Sequence, residues 1–294
     1  MSAALFYVLL SKKAQQTGNL LRSLKQQIMN TLNTRLPLIG LIFLISFGIR
    51  ANGNDSTTFR PFTEKEELSF KLSYGWFKIG KGLVRLNDDA ADHYSIYAEG
   101  KTVGLMGIFA NLDDKFYAHV DTITLQPLSS VRDIKDGRYW RHQENEFNHD
   151  EAQVHVDIVD YRDTSKNINR NIEIPEPTFD ILSSYLYLRS VDWSKRNVQD
   201  SVMVNTFYGK KTYYFGVEYA GQERIKFHGK KISAYKLYIL FPNSTVFPEN
   251  KPVTVWITAD ENQLPLKISA KFGIGRATAE LTGYKNLKVP RDYF

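Results

Sequence analysis

Residues 68–74 read LSFKLSY, an unbroken alternation of apolar and polar side chains. A period of two is the repeat of an extended strand, whose successive side chains point to opposite faces. Leu68, Phe70, Leu72 and Tyr74 therefore predict a buried face, and Ser69, Lys71 and Ser73 a wet one. The period recurs at residues 94–98 (YSIYA) and 154–158 (VHVDI). Later runs at 201–207 (SVMVNTF), 212–219 (TYYFGVEY), 234–241 (AYKLYILF) and 253–258 (VTVWIT) are rich in β-branched and aromatic residues, which suit a half-buried pleated surface. Turn-forming residues separate them at 87–89, 136–137, 149–151, 163–166, 208–211, 228–231 and 260–263. The pattern predicts a mainly β fold: an antiparallel meander of roughly a dozen strands, forming a curved sheet or a half-closed or closed barrel.

Two segments depart from the period. Residues 104–110 (GLMGIFA) are apolar and glycine-rich, suiting a short helix or a buried loop. Residues 178–190 (TFDILSSYLYLRS) follow Pro175 and Pro177 and predict a buried helix. Thr178 is its expected cap, Asp180 falls in its first turn, and Arg189 complements the dipole at its far end. Residues 207–211 (FYGKK) and 227–231 (FHGKK) echo one another. Both read as hairpin turns in which glycine supplies a positive φ. A paired basic rim at one mouth of the sheet is the alternative.

The chain carries 38 Lys and Arg against 32 Asp and Glu, a net charge of +6. The first carboxylate is Asp55, and Lys12, Lys13, Arg22, Lys25, Arg35 and Arg50 precede it. Removing those six leaves 32 cations against 32 anions over residues 52–294. The excess belongs to the leader, so no global basic footprint for nucleic acid exists. Residues 36–49 (LPLIGLIFLISFGI) form a 14-residue apolar run. That is short for a membrane span, which needs ~20 apolar residues, and suits the core of a signal peptide. The expected organisation is an upstream extension at 1–28, a signal peptide at 29–53 and one β-rich domain at 54–294. The mature protein is then periplasmic or secreted, without a stable transmembrane span.

No catalytic constellation emerges. Cysteine is absent, which removes disulfides, thiolate metal sites and cysteine nucleophiles together. The six histidines lack metal-ligand spacing. His119 and Asp121 share a strand face, but no serine in a nucleophile elbow accompanies them. Asp113 and Asp114 read as a solvated turn, and Gly273 and Gly275 as a bulge or a close backbone approach. The expectation is a non-enzymatic protein without cofactor or metal.

Aromatic residues make up 13% of the chain. Most fill a β core; the rest can line a groove for an apolar ligand. Trp76, Phe109 and Trp256 are the wall candidates, with Tyr185 and Leu186 facing them from the helix. The expected partner is a hydrophobic or lipid-like ligand. The competing expectation is a structural protein of the cell envelope with a packed, ligand-free core and a protein partner.

Residues 72–82 (LSYGWFKIGKG), 180–189 (DILSSYLYLR), 255–260 (VWITAD), 264–266 (LPL) and 281–284 (LTGY) together resemble a bacterial family of exported proteins designated domain of unknown function 3108. The resemblance spans about residues 65–287. It implies the opening hairpin, the helix and the closing strands, and it carries no catalytic residues. The closing pattern is also similar to the half-barrels of periplasmic lipoprotein carriers, a likeness of fold alone.

Overall fold

The computed structural model describes residues 59–90, 93–103, 112–136, 139–240, 253–272 and 275–294. The first half of the sheet contains β1 (Glu67–Tyr74), β2 (Phe77–Ala90), β3 (His93–Thr102), β4 (Leu112–Asp121), β5 (Pro127–Asp136), β6 (Tyr139–Asn148), β7 (Gln153–Asp160) and β8 (Ile168–Glu173). The short β9 (Thr178–Phe179) leads into helix α1 (Ile181–Arg189). The second half contains β10 (Ser201–Tyr208), β11 (Lys211–Phe227), β12 (Lys230–Leu240), β13 (Val253–Thr258), β14 (Pro265–Phe272) and β15 (Gly275–Lys285).

All fifteen strands join one sheet in the order β8-β7-β6-β5-β4-β3-β2-β1-β15-β14-β13-β12-β11-β10-β9. The halves meet where β1 pairs antiparallel with β15. Every neighbouring pair is antiparallel except β9 and β10, where Thr178 and Phe179 lie parallel to Asn205 and Thr206. The sheet is curved and open, with β8 and β9 as its two edges. Side chains bridge that seam where hydrogen bonds do not. Phe207 of β10 packs into a cluster with Val154, Val156 and Ile158 of β7, and with Ile174. Its ring meets Phe147 edge-on at 6.1 Å. The fifteen strands exceed the predicted dozen because β8 and β9 are short or polar and lack the alternating signal.

The predicted parity of β1 is realised. Leu68, Phe70 and Leu72 are buried on the inner face, while Lys71 faces out. Helix α1 lies against β3, β4 and β10. Asp180, not Thr178, is its N-cap: the Asp180 carboxylate accepts from the Ser183 amide at 2.7 Å, and the Ser183 hydroxyl accepts from the Asp180 amide at 2.8 Å. Thr178 is instead a strand residue whose hydroxyl donates to the Pro175 carbonyl. Reciprocal capping satisfies two backbone donors that a buried helix start would otherwise strand.

The strands run between two ends. One end carries the β13–β14 turn, the segment after α1 and the C-terminal residues, and is called the clasped end below. The other carries the β1–β2 and β10–β11 turns and the segment between β7 and β8, and is called the aromatic end. The FYGKK and FHGKK turns lie at opposite ends of β11, so they do not form a paired rim. Both are hairpin turns with left-handed glycines, Gly209 at φ 67° and Gly229 at φ 87°. Asp113 and Asp114 are strand residues of β4, and Asp114 is fully buried, so the expected solvated turn is corrected. Residues 104–110 and the leader at 1–53 lie outside the described residues.

Candidate functional site

Helix α1 is held over the inner face by a buried ion pair. Arg189 and Glu66 are each 4% exposed, and the Arg189 Nη1 and Nη2 groups donate to the two Glu66 oxygens. Nη1 also donates to the Tyr185 hydroxyl at 3.1 Å, and Nη2 to the Asn262 carbonyl at 2.8 Å. Gln263 Nε2 donates to the carbonyls of Arg189 and Val191 at 2.6 and 2.8 Å. Burial opposes the Arg189 charge, but the Glu66 carboxylate overcomes it and raises the guanidinium above its ordinary value. Burial pushes the Tyr185 hydroxyl up to about 12, so it remains protonated. These contacts fasten β1, α1 and the β13–β14 turn together. Charge complementarity alone would not hold such a pair in an apolar setting without the added hydrogen bonds.

Of the five predicted ligand-contact residues, the four among the described residues are not gathered at one place. Leu186, 1% exposed, lies in the core beneath α1. Tyr185 serves the clasp. Trp256 lies on the outer face, opposite Lys236 and Lys267 of the neighbouring strands, and its Nε1 donates to Glu223 at 2.6 Å. It borders a shallow outer cleft of about 130 Å³ shared with Phe227, His228 and Glu280. Trp76 is 84% exposed at the β1–β2 turn. Phe109 lies outside the described residues. Strand parity separates Trp256 from the inner face: Val255, its neighbour, opposes Leu237 and Ile268 there.

A polar inclusion interrupts the inner face near the seam. Arg132 Nη2 donates to Gln143 Oε1 at 2.8 Å. Gln143 Nε2 donates to Asn145 Oδ1 and the Gly209 carbonyl, both at 2.8 Å. Asn145 Nδ2 in turn donates to Ser130 Oγ at 2.9 Å. The guanidinium stacks 4.1 Å from the Tyr208 ring centre, while its Nε and Nη1 have no hydrogen-bond partner. An adjoining space of about 20 Å³ has room for about one water. Asp180 lines the same space, and burial raises its carboxyl to about 6. The sequence carried a signal for this cluster: Ser130, Arg132, Gln143 and Asn145 occupy inner-face parity on β5 and β6, where apolar residues are expected.

Elsewhere the inner face changes character along its length. Toward the clasped end it is built from Leu68, Val84, Leu86, Ile96, Leu266 and Leu281. Toward the aromatic end Ala270 opposes Ala277, Ala279 opposes Leu72, Leu72 opposes Gly80, and Gly82 opposes Gly100. Gly80 is required by backbone approach, since a Cβ there would come within 2.6 Å of the Lys101 carbonyl. Gly82 is not: a Cβ would meet Phe70 and Glu99 at 3.6 and 3.7 Å, ordinary contact distances. Small residues thus line this part of the inner face, where Ala270, Ala277 and Ala279 are buried, and at Gly82 backbone geometry does not demand glycine.

The titratable side chains singled out in the sequence are engaged by their neighbours. His119 stacks on His93 at 4.9 Å, and Asp121 accepts from the amides of Ile123 and Thr124, capping its own turn. His142 lies between Asp133 at 2.6 Å and Glu144 at 2.9 Å. Partial burial lowers its pKa, but the two carboxylates outweigh that and raise it. Among the described residues no group of three or more His, Asp or Glu side chains could hold a metal ion. No helix among them is long and apolar enough to cross a membrane.

An open, curled antiparallel sheet with one clasped helix defines the class of this protein. The chain belongs to the family described as protein of unknown function DUF3108, which matches residues 69–282. No curated protein matches it. Among solved structures, a beta-barrel-like protein of domain of unknown function DUF1849 from Brucella abortus shares the fold at TM-score 0.52 and 8% identity, covering 77% of this chain and all of that one. Weaker likenesses include an exported protein with YmcC-like fold from Bacteroides fragilis (TM-score 0.32, 8% identity, 77% of this chain and 98% of that one). The lipoprotein LppX of Mycobacterium tuberculosis is another, at TM-score 0.26 and 15% identity, covering 77% and 89%.

Proposed function

We propose that this protein is a non-catalytic, exported envelope protein that holds the hydrocarbon of a lipid-like ligand on the inner face of its sheet. The observation that carries this reading is the band of Gly82, Gly100, Ala270, Ala277 and Ala279, whose short side chains place little bulk on this stretch of the inner face. Affinity comes from burying apolar ligand surface, at roughly 25 cal/mol per Å². Export is supported by the acid-free leader and its short apolar run. Delipidated protein is expected to take up a fluorescent fatty acyl probe saturably. Ala279→Leu and Gly82→Leu, each filling the band, are expected to weaken uptake about tenfold, because filled space displaces ligand. Trp256→Ala, on the outer face, leaves uptake unchanged. Non-saturable uptake, or uptake indifferent to both filling variants with the fold intact, would sink the idea.

A second reading, a structural envelope protein with a packed core, draws on Leu186 and the rest of α1. That helix already covers the inner face of β3 and β4 with fully buried side chains. Under it, the filling variants change stability but no uptake is measured in any form of the protein.

A further inference from the structure

The exposed aromatic side chains are unevenly placed. Trp76 is 84% exposed, Tyr161 52%, Tyr214 42%, and Trp140 and Tyr213 41% each, and all five lie at the aromatic end. Among the described residues, the remaining large exposed aromatic, Tyr117, lies mid-strand on the outer face, whereas the most exposed aliphatics of the clasped end are Ile123 and Val198. Trp76 stands on a two-residue turn in which Gly75 takes φ 58°, and its ring stacks on Phe77 at 3.6 Å. Trp140 stacks on Tyr161 at 4.6 Å. These rings are propped by their neighbours and presented outward, not folded back over the sheet.

Cations surround them. Lys78, Lys101, Lys135, Lys211 and Arg276 are exposed at this end, and Lys135 Nζ lies 4.5 Å from the Trp140 ring. Asp113 lies between Lys101 and Lys135 in the strand register, Lys101 Nζ lies 3.5 Å from Glu99, and Asp160 and Asp163 are engaged by Arg141 and Lys166. At the clasped end Lys230 pairs with Asp292, Arg291 with Glu261, Lys195 with Asp192 and Lys285 with Glu67. Tryptophan and tyrosine favour the headgroup level of a bilayer, where an apolar ring and a polar atom are both accommodated. Lysine and arginine near an anionic surface each strengthen binding to it about fivefold.

We propose that the aromatic end docks onto the surface of an anionic phospholipid bilayer, with Trp76 entering the headgroup region and the surrounding cations contacting lipid phosphates. Docking of this end does not require a ligand within the sheet. A failed acyl-probe experiment and a failed docking experiment are therefore separate outcomes.

The test resolves position, because residues 36–49 of the full chain can enter a bilayer by themselves and would dominate a sedimentation assay. The chain has no cysteine, so Trp76→Cys and Ile123→Cys each give a single site for an environment-sensitive label. With vesicles of phosphatidylglycerol and phosphatidylcholine, the label at 76 is expected to shift to the blue and that at 123 to remain in water. With phosphatidylcholine alone, neither shifts. Lys78→Glu combined with Lys135→Glu is expected to weaken the response at 76 about tenfold or more, given the charge contributions above. No shift at 76, equal shifts at both sites, equal response without the anionic lipid, or indifference to the charge reversals would overturn the proposal. Binding to dextran sulfate with no blue shift on any vesicle would assign the end to a soluble polyanion and overturn it equally.

Discussion

At the clasped end, Arg189, Glu66, Asn262 and Gln263 are tied to one another and to backbone carbonyls; at the aromatic end, Trp76, Trp140 and Tyr161 face outward among lysines. The same strands supply both ends. Tyr293 of the C-terminal segment completes the clasped end: its hydroxyl donates to Asp260 at 2.7 Å and accepts from Asn262 at 2.9 Å. The contrast shows a division within one sheet. One end satisfies its polar groups internally and fills its inner face with leucine, valine and isoleucine. At the other, small residues of β2, β3, β14 and β15 share the inner face with Leu112, Ile134 and Ile158, and amphipathic rings stand outside, where contacts with lipid can form.

The largest effect is expected from breaking the clasp. Glu66→Ala leaves a buried guanidinium without its carboxylate, and removal of one partner from such a pair costs about 3–5 kcal/mol. Urea denaturation at neutral pH measures it; a loss under 1 kcal/mol would erase the distinction between the ends.

A smaller, pH-dependent effect is expected at Asp180. Burial raises its carboxyl to about 6, above the ordinary aspartate value, so the folded state favours the protonated form. That contribution is present below about pH 4 and is lost as pH rises through about 6. Asn retains the capping oxygen and does not titrate. Relative to wild type, Asp180→Asn should therefore gain about 2 kcal/mol between pH 4 and pH 7.5 in denaturation midpoints. A pH-independent difference would contradict the burial argument. The smallest effect is expected at Trp76→Ser, within about 0.5 kcal/mol of wild type, because an exposed side chain on a turn leaves no cavity. A larger loss would make Trp76 a packing residue and remove it from the docking surface.

Much of the fold was legible because alternation is a local signal. The parity of β1, β3 and β7 follows from the residues alone, and so does the buried helix after Pro177. The seam, the β8 and β9 edges and the Glu66–Arg189 pair were not legible. Glu66 and Arg189 are 123 positions apart, and nothing local to either names the other. Arg189 instead looked like a helix-dipole partner. The candidate site was legible only in part. Leu186 was correctly placed in buried helix, but aromatic density cannot distinguish the two faces of a strand, and Trp256 falls on the outer one. The informative residues on the inner face were the smallest, Gly82 and Ala279, which carry little sequence signal.

The central claim, that the small-residue band of the inner face holds a lipid-like ligand, is tested most directly by native mass spectrometry of the protein purified from its host envelope. A species heavier than the polypeptide by the mass of a lipid is expected, diminished in Ala279→Leu and unchanged in Trp256→Ala. The polypeptide mass alone, under conditions that preserve the fold, would contradict it.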